Sequence, residues 1–89
     1  MKHLSIHVIG KVQGVWFRVN TKETASKLGL FGFVKNEADG SVYIEVSGDE
    51  NNIENFVAWC KKGEAPSRVD ELIIKENDKK YHEEFIIMR

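Results

Sequence analysis

Cysteine is nearly absent from this 89-residue chain: Cys60 stands alone, so no internal disulfide can form. That fits a reducing compartment, and a cytoplasmic location is expected. No apolar run approaches the roughly 20 residues that a membrane-spanning helix needs. Met1-Lys2-His3 is not followed by an apolar signal region, so a soluble protein with no membrane partner is expected. Three histidines show no zinc-ligand spacing, and neither a metal nor a cofactor is expected. His3 and His7 share the outer face of the first strand, His82 lies far along the chain, and all three read as surface residues. No paired carboxylates flank a candidate site, and no serine has an evident histidine partner. An excess of one charge is missing too. Thirteen Lys/Arg against fourteen Asp/Glu leave a formal −1, which argues against a general nucleic-acid binder.

Within that near balance the charge is unevenly placed. Residues 1–36 carry six Lys/Arg and one acid, Glu23, whereas residues 37–89 carry seven bases and thirteen acids. A small anion would be drawn toward the first part, although ordinary solvated faces can show the same asymmetry. The length suffices for one domain, residues 1–89, and leaves no room for a second core. No dimer stripe stands out, so a monomer is expected.

Alternation from His3 to Ile9 puts Leu4, Ile6 and Val8 on one face of a strand. A helix is expected from about Phe17 to Leu28, with Phe17, Thr21, Ala25 and Leu28 on one side and Gly29 just past its end. Phe31 to Glu37 and Val42 to Gly48 read as strands around Ala38-Asp39-Gly40-Ser41, an Asp-Gly hairpin signal. Val42, Ile44 and Val46 form the buried side of the second arm. Asp49 can cap a second helix, Glu50 suits its first turn, and Ile53, Phe56, Val57 and Cys60 make its apolar stripe. On that stripe Cys60 reads as a small core hydrophobe rather than a nucleophile. Lys61 and Lys62 suit the helix end, and Gly63 stops it.

After a loop with Pro66, Arg68 to Glu76 reads as a strand carrying Val69, Leu72 and Ile74. Tyr81 to Met88 reads as one more, and its position in the sheet cannot be read from the pattern. The order β-α-β-β-α-β with an extra C-terminal strand specifies an α+β, ferredoxin-like split βαβ sandwich. Its expected form is an antiparallel sheet with two helices on one face. Many unrelated functions share that scaffold, so fold alone settles nothing.

The most informative segment is Gly10-Lys11-Val12-Gln13-Gly14-Val15-Trp16-Phe17-Arg18, a strand-to-helix turn. Two glycines allow a tight fold with N–H groups turned inward, the positive end of a helix dipole follows, and Arg18 stands at its mouth. Together these can receive a tetrahedral oxyanion such as phosphate. On spacing alone, an ordinary βα connection with an exposed arginine serves equally well. The segment is not a Walker loop, because only three residues separate the glycines and no Lys-Ser or Lys-Thr pair follows. It also lacks the third glycine of a dinucleotide fingerprint.

This segment resembles the G-x-V-Q-G-V-x-F-R signature of acylphosphatases. Gly32-Phe33-Val34-Lys35-Asn36-Glu37-Ala38-Asp39-Gly40-Ser41-Val42 resembles their second signature, G-x-V-x-N-x-x-D-G-x-V, and Pro66-Ser67-Arg68-Val69 resembles the family's approach to its fourth strand. The resemblance spans essentially the whole chain. It implies that Arg18 binds phosphate, that Asn36 holds the attacking water, and that backbone amides of Val12, Gln13, Gly14, Val15, Trp16 and Phe17 cradle the phosphoryl group. Trp16 falls at a variable place, where a bulky ring can shape the rim of the site. The small-molecule substrate it implies is an acyl phosphate.

Elementary chemistry suits those roles. Arginine offers a planar fork of donors matching two phosphate oxygens and stays charged. An asparagine carbonyl can accept from water and aim it without acting as a base. Arginine and backbone amides suit the loose, anionic transition state of phosphoryl transfer. With no general acid or metal, the leaving group must depart as a stable anion. An alkoxide, whose parent resembles water with a pKa of about 15.7, leaves poorly, whereas a carboxylate with a pKa of about 4 leaves readily. The proton of the attacking water then goes to the substrate's own phosphate oxygens, as the family mechanism implies.

Two rival readings are weighed. Phe31-Gly32-Phe33-Val34 partly matches the core of an RNA-recognition strand. However, Gly29 replaces the expected basic residue, Asn36 replaces the final aromatic, and the run falls on the second strand rather than the third. The other rival stays with the resemblance: acylphosphatase-like domains also open large carbamoyl-transfer maturation proteins, where a binding role without turnover is conceivable.

Overall fold

A computed structural model of the chain describes residues 1–88. Strand β1 (Lys2–Lys11) keeps the alternation of its sequence, burying Leu4, Ile6 and Val8 on one face. Helix α1 (Phe17–Lys27) follows, burying Phe17, Thr21 and Ala25, with Leu28 partly buried against the core. It ends in a Schellman arrangement: Gly29 N–H donates to Ser26 O at 3.1 Å and Leu30 N–H to Ala25 O at 2.9 Å. Strands β2 (Phe31–Asn36) and β3 (Val42–Gly48) pair antiparallel around the Ala38-Asp39-Gly40 turn. That turn is held by Asp39, which accepts from the backbone and side chain of Ser41. Helix α2 (Glu50–Lys62) buries Ile53, Phe56 and Cys60, and Val57 packs at their margin.

Strands β4 (Arg68–Glu76) and β5 (Ile86–Ile87) complete a sheet of order β4-β1-β3-β2-β5. Parallel strands β1 and β2 are thus separated by β3, which is the split βαβ topology. Both helices cover one face, α1 over β2 and β5, α2 over β4, β3 and β1. Between helices and sheet lies a core that includes Phe17, Phe56, Ile6, Ile44 and Val34.

Three expectations change. Only Ile86 and Ile87 of the Tyr81–Met88 run form a strand, and β5 lies parallel to β2, so the sheet is antiparallel except at that edge. The cause is the path of the tail across the sheet face that carries no helix. Asn77 N–H donates to His3 O of β1, Ser47 of β3 bonds Lys79 O and Tyr81 N–H, and Tyr81 OH donates to Glu45. Having crossed β1 and β3, the chain reaches the free edge of β2, where Phe31 bridges Glu84 and β5 begins. Ile74 is exposed, because β4 is an edge strand.

Gly10 belongs to β1 and not to the turn. It pairs with Val69 where Ile9 pairs with Glu71, so Asp70 is an extra residue bulged out of β4. A Cβ on Gly10 would lie 2.1 Å from Arg68 O, which explains glycine there. The same bulge shifts the parity of β4 and lets Val69 and Leu72, three residues apart, both pack on the core.

Candidate active site

The turn proper is short, running from Val12 to Trp16, and it is pinned at both ends. Val12 and Phe17 are each only 1 % exposed. The Phe17 ring stacks on Trp59 of α2 with centroids 5.7 Å apart, which anchors the start of α1 to the second helix. Gly14 at the apex has φ +74 with open space beside it, so the chain reverses there in the left-handed region.

A third restraint comes from a side chain. Gln13 Nε2 donates to Glu37 O and to Ser41 O, both at 2.8 Å. One amide group therefore ties the turn to both stems of the β2–β3 hairpin, next to Asn36. The sequence singled out only the backbone of Gln13. Its amide partners are 24 and 28 residues away, too distant for any local pattern to reveal.

At the helix start the donors are left open. The residue preceding α1 is Trp16, left-handed at φ +65 and ψ 12, with no side-chain bond to the helix and no acid in the first turn. Among the described residues, no acceptor reaches the N–H groups of Gln13 through Val19. An arc of unpaired donors at the positive end of a helix attracts an anion.

Arg18, in the first turn of α1, lines a cavity of about 680 Å³ with Val12, Gly14, Trp16, Phe17, Val19 and Ile87. Five of the seven residues expected to hold phosphate thus border one hollow. Gln13 and Val15 belong to the same turn, but Gln13 reaches toward the hairpin and Val15 packs on the core. Asn36 does not line this cavity. It ends β2, exposed, on the helix-bearing side by its register with Val34. Through Val42 it stands level with Val8 of β1, two strands away, or about 10 Å at normal strand spacing, at the end of the sheet from which the turn leaves. Val19 and Ile87 were not expected at the site. Ile87 could not be, since the place of its strand was unreadable.

Other titratable groups lie elsewhere. Burial pushes the Cys60 thiol up to about 12, which makes it an inert core residue. His3 and His7 are half-buried rather than freely exposed, and each meets a serine, Nδ1 of His3 with Ser47 Oγ at 2.8 Å and Nε2 of His7 with Ser41 Oγ. Serine–histidine pairs thus exist after all. In the second, Ser41 Oγ donates to Asp39 and accepts from His7, the reverse of what an activated serine requires. Those two bonds from Ser41, side chain then backbone, hold the Asp39 carboxyl below its ordinary range.

Glu45 lies under the tail, only 5 % exposed. Burial alone would raise its pKa, but donation from Tyr81 and Tyr43, with Lys79 nearby, holds it below the usual carboxylate value. Phe33 packs between Tyr43 and Tyr81 at 6.1 and 5.8 Å, so the aromatic face expected of an RNA binder is partly covered. Among the described residues, no three His, Cys, Asp or Glu side chains are grouped to hold a metal ion.

Comparison with known proteins bears on the family and the fold. The acylphosphatase family model matches residues 4–87. An acylphosphatase of Rhizorhabdus wittichii is 49% identical over 71 residues, covering 80% of this chain and 72% of that one. The crystal structure of acylphosphatase from Bacillus subtilis superposes with a TM-score of 0.95 at 38% identity, covering 100% of both chains. The crystal structure of T. kodakarensis HypF contains a region alike at TM-score 0.82 and 39% identity, which covers 98% of this chain but 12% of that much longer one.

Proposed function

This chain belongs to the acylphosphatase family and hydrolyses acyl phosphates, and we propose that the 12–18 segment grips the phosphoryl group while Asn36 aims the attacking water. The observation that supports this division of labour is the arc of unpaired N–H groups from Gln13 to Val19 beside the Arg18 guanidinium. Backbone donors fixed at both ends need no rearrangement as charge builds on the equatorial phosphoryl oxygens. Arg18 contributes a two-pronged, permanently charged contact to the same oxygens. Fixing Val12, Gln13 and Phe17 keeps those donors in one geometry.

Water held by the Asn36 side-chain carbonyl attacks phosphorus in line with the carboxylate leaving group. The phosphorus–oxygen bond to the acyl group breaks, its electron pair leaves with the carboxylate, and a phosphate oxygen of the substrate takes the proton lost by water. No protein group needs to change protonation, and no metal is required. The products are a carboxylate and inorganic phosphate. We also take the protein to be a cytoplasmic monomer acting on a small substrate without nucleic acid or membrane. Its single cysteine, kept as a buried thiol, supports the first point.

Phosphate release from acetyl phosphate and from a simple alkyl phosphate, each with and without a strong chelator, tests the chemistry. Only the acyl phosphate should be cleaved, at a rate indifferent to the chelator. Comparable cleavage of the alkyl ester, or loss of activity on chelation, would overturn the metal-free mechanism.

A further inference from the structure

Trp16 does little that a fold would require of it. The residue is 74 % exposed, and among the described residues its ring meets no aromatic partner and its Nε1 no acceptor. Its backbone is left-handed at φ +65, a conformation that bulky residues seldom adopt and that glycine or asparagine would hold with less strain. A large apolar ring is therefore held in an unfavourable backbone state at the mouth of the phosphate-gripping turn. Strain of this kind is kept where the surroundings enforce it, commonly at a ligand site.

The ring does not stand alone. Val19, 37 % exposed on the first turn of α1, and Ile87 of β5 line the same cavity as Arg18. Both also line an adjoining hollow of about 590 Å³ that runs along α1 past Lys22, Glu23, Ser26 and Lys27. Val19 and Ile87 thus lead from the phosphate turn into a groove between α1 and β5 whose farther wall is made by polar and charged residues of α1. Any acyl phosphate whose phosphoryl group sits in the turn must extend its acyl group out of that turn, to the rim where these side chains lie.

We propose that Trp16, Val19 and Ile87 form an acyl subsite selecting acyl phosphates whose acyl group is apolar and larger than acetyl; this rests on the phosphate site assigned above. The indole face and two aliphatic side chains exclude water from a hydrocarbon body but offer a two-carbon acyl group little to bury. Trp16, Val19 and Ile87 offer no partner to a charged or strongly polar substituent next to the phosphoryl group, and the charged residues of α1 begin only farther along the groove. Selection at the rim arises from size and apolarity.

The test measures kcat/KM for hexanoyl phosphate and acetyl phosphate in the native protein, in Trp16→Gly and in Val19→Ser. The glycine variant suits the left-handed backbone, and the serine variant changes an exposed helix position, so both should fold. The native protein should favour hexanoyl phosphate by about tenfold or more, the scale set by a few methylenes in an apolar pocket. Each variant should shrink that ratio severalfold, chiefly through a higher KM for the hexanoyl substrate. A native ratio near one would overturn the subsite while leaving acetyl phosphate hydrolysis and the phosphate site intact, and variants that lose both substrates in equal proportion would overturn it by assigning these side chains to the phosphate turn alone. Failure to cleave either substrate would instead remove the functional assignment and the subsite with it.

Discussion

Helix α2 begins under Asp49, which has extended backbone and accepts from Asn51 N–H at 2.9 Å, with Glu50 in its first turn. Helix α1, on the same face of the same sheet, begins at Trp16 with no side-chain bond and no acid. Both helices face the same problem, since the first N–H groups of any helix lack partners within it. At α2 the Asp49 side chain satisfies one of those donors and the acids offset the dipole, which stabilises the helix. At α1 neither happens, and stability comes from Phe17 stacked on Trp59 and from the Schellman turn at the other end. Capping a helix and binding an anion are competing uses of the same donors. The bare start of α1, next to an arginine and fixed by buried neighbours, keeps its donors for the anion proposed to bind there.

That contrast can be broken in several places. The largest effect is expected at Arg18. Arg18→Ala should lower kcat/KM for an acyl phosphate by roughly 10²–10³-fold, the scale for losing one transition-state anion contact, with a native circular dichroism spectrum. Added inorganic phosphate should raise the Tm of the native protein by ligand linkage and that of the variant far less. Native turnover in the variant would end the case for α1 as the anion site.

Asn36→Ala comes next, with kcat reduced roughly 10²-fold through the lost aim of the water and KM largely kept. An effect confined to KM would instead make Asn36 a binding residue. Trp16→Asp sharpens the contrast by supplying α1 with the acid that α2 already has. It should raise KM severalfold, as expected of an exposed charge that commands about 0.3–1 kcal/mol near a helix terminus. An unmoved KM would mean that the substrate anion lies elsewhere. The smallest effect is the mirror of these: Asp49→Ala should cost about 1 kcal/mol in urea unfolding with kcat/KM as in the native protein. Activity lost at unchanged stability would erase the distinction between the two helix starts.

Much of the fold could be read from local pattern, because period, cap and turn residues act within a few positions of one another. Leu4, Ile6 and Val8, the stripe of α2 under Asp49, and the Asp39-Gly40 turn all fall where their spacing put them. The departures are long-range. Tyr81 reads as the start of a strand, yet its hydroxyl donates to Glu45, 36 residues earlier, and the tail lies across the sheet instead. Val69 and Leu72 break the period of two because a bulge at Asp70 accommodates the close approach of Gly10 on the neighbouring strand. The site divides in the same way. Arg18 and Asn36 could be proposed from two signatures, but the bonds from Gln13 to Glu37 and Ser41, which join those signatures in space, could not be read from them.

The order of side chains along the chain therefore determined the elements, the split βαβ class and the residue types able to grip a phosphoryl group, since each depends on spacing of a few residues. Tertiary structure alone decided that α1 keeps its donors open, that Gln13 ties the turn to the hairpin, and that Ile87 arrives beside Trp16 and Val19. The reason is physical: whether a donor is paired, or an apolar side chain covered, depends on groups that are remote in sequence and meet only when the sheet closes.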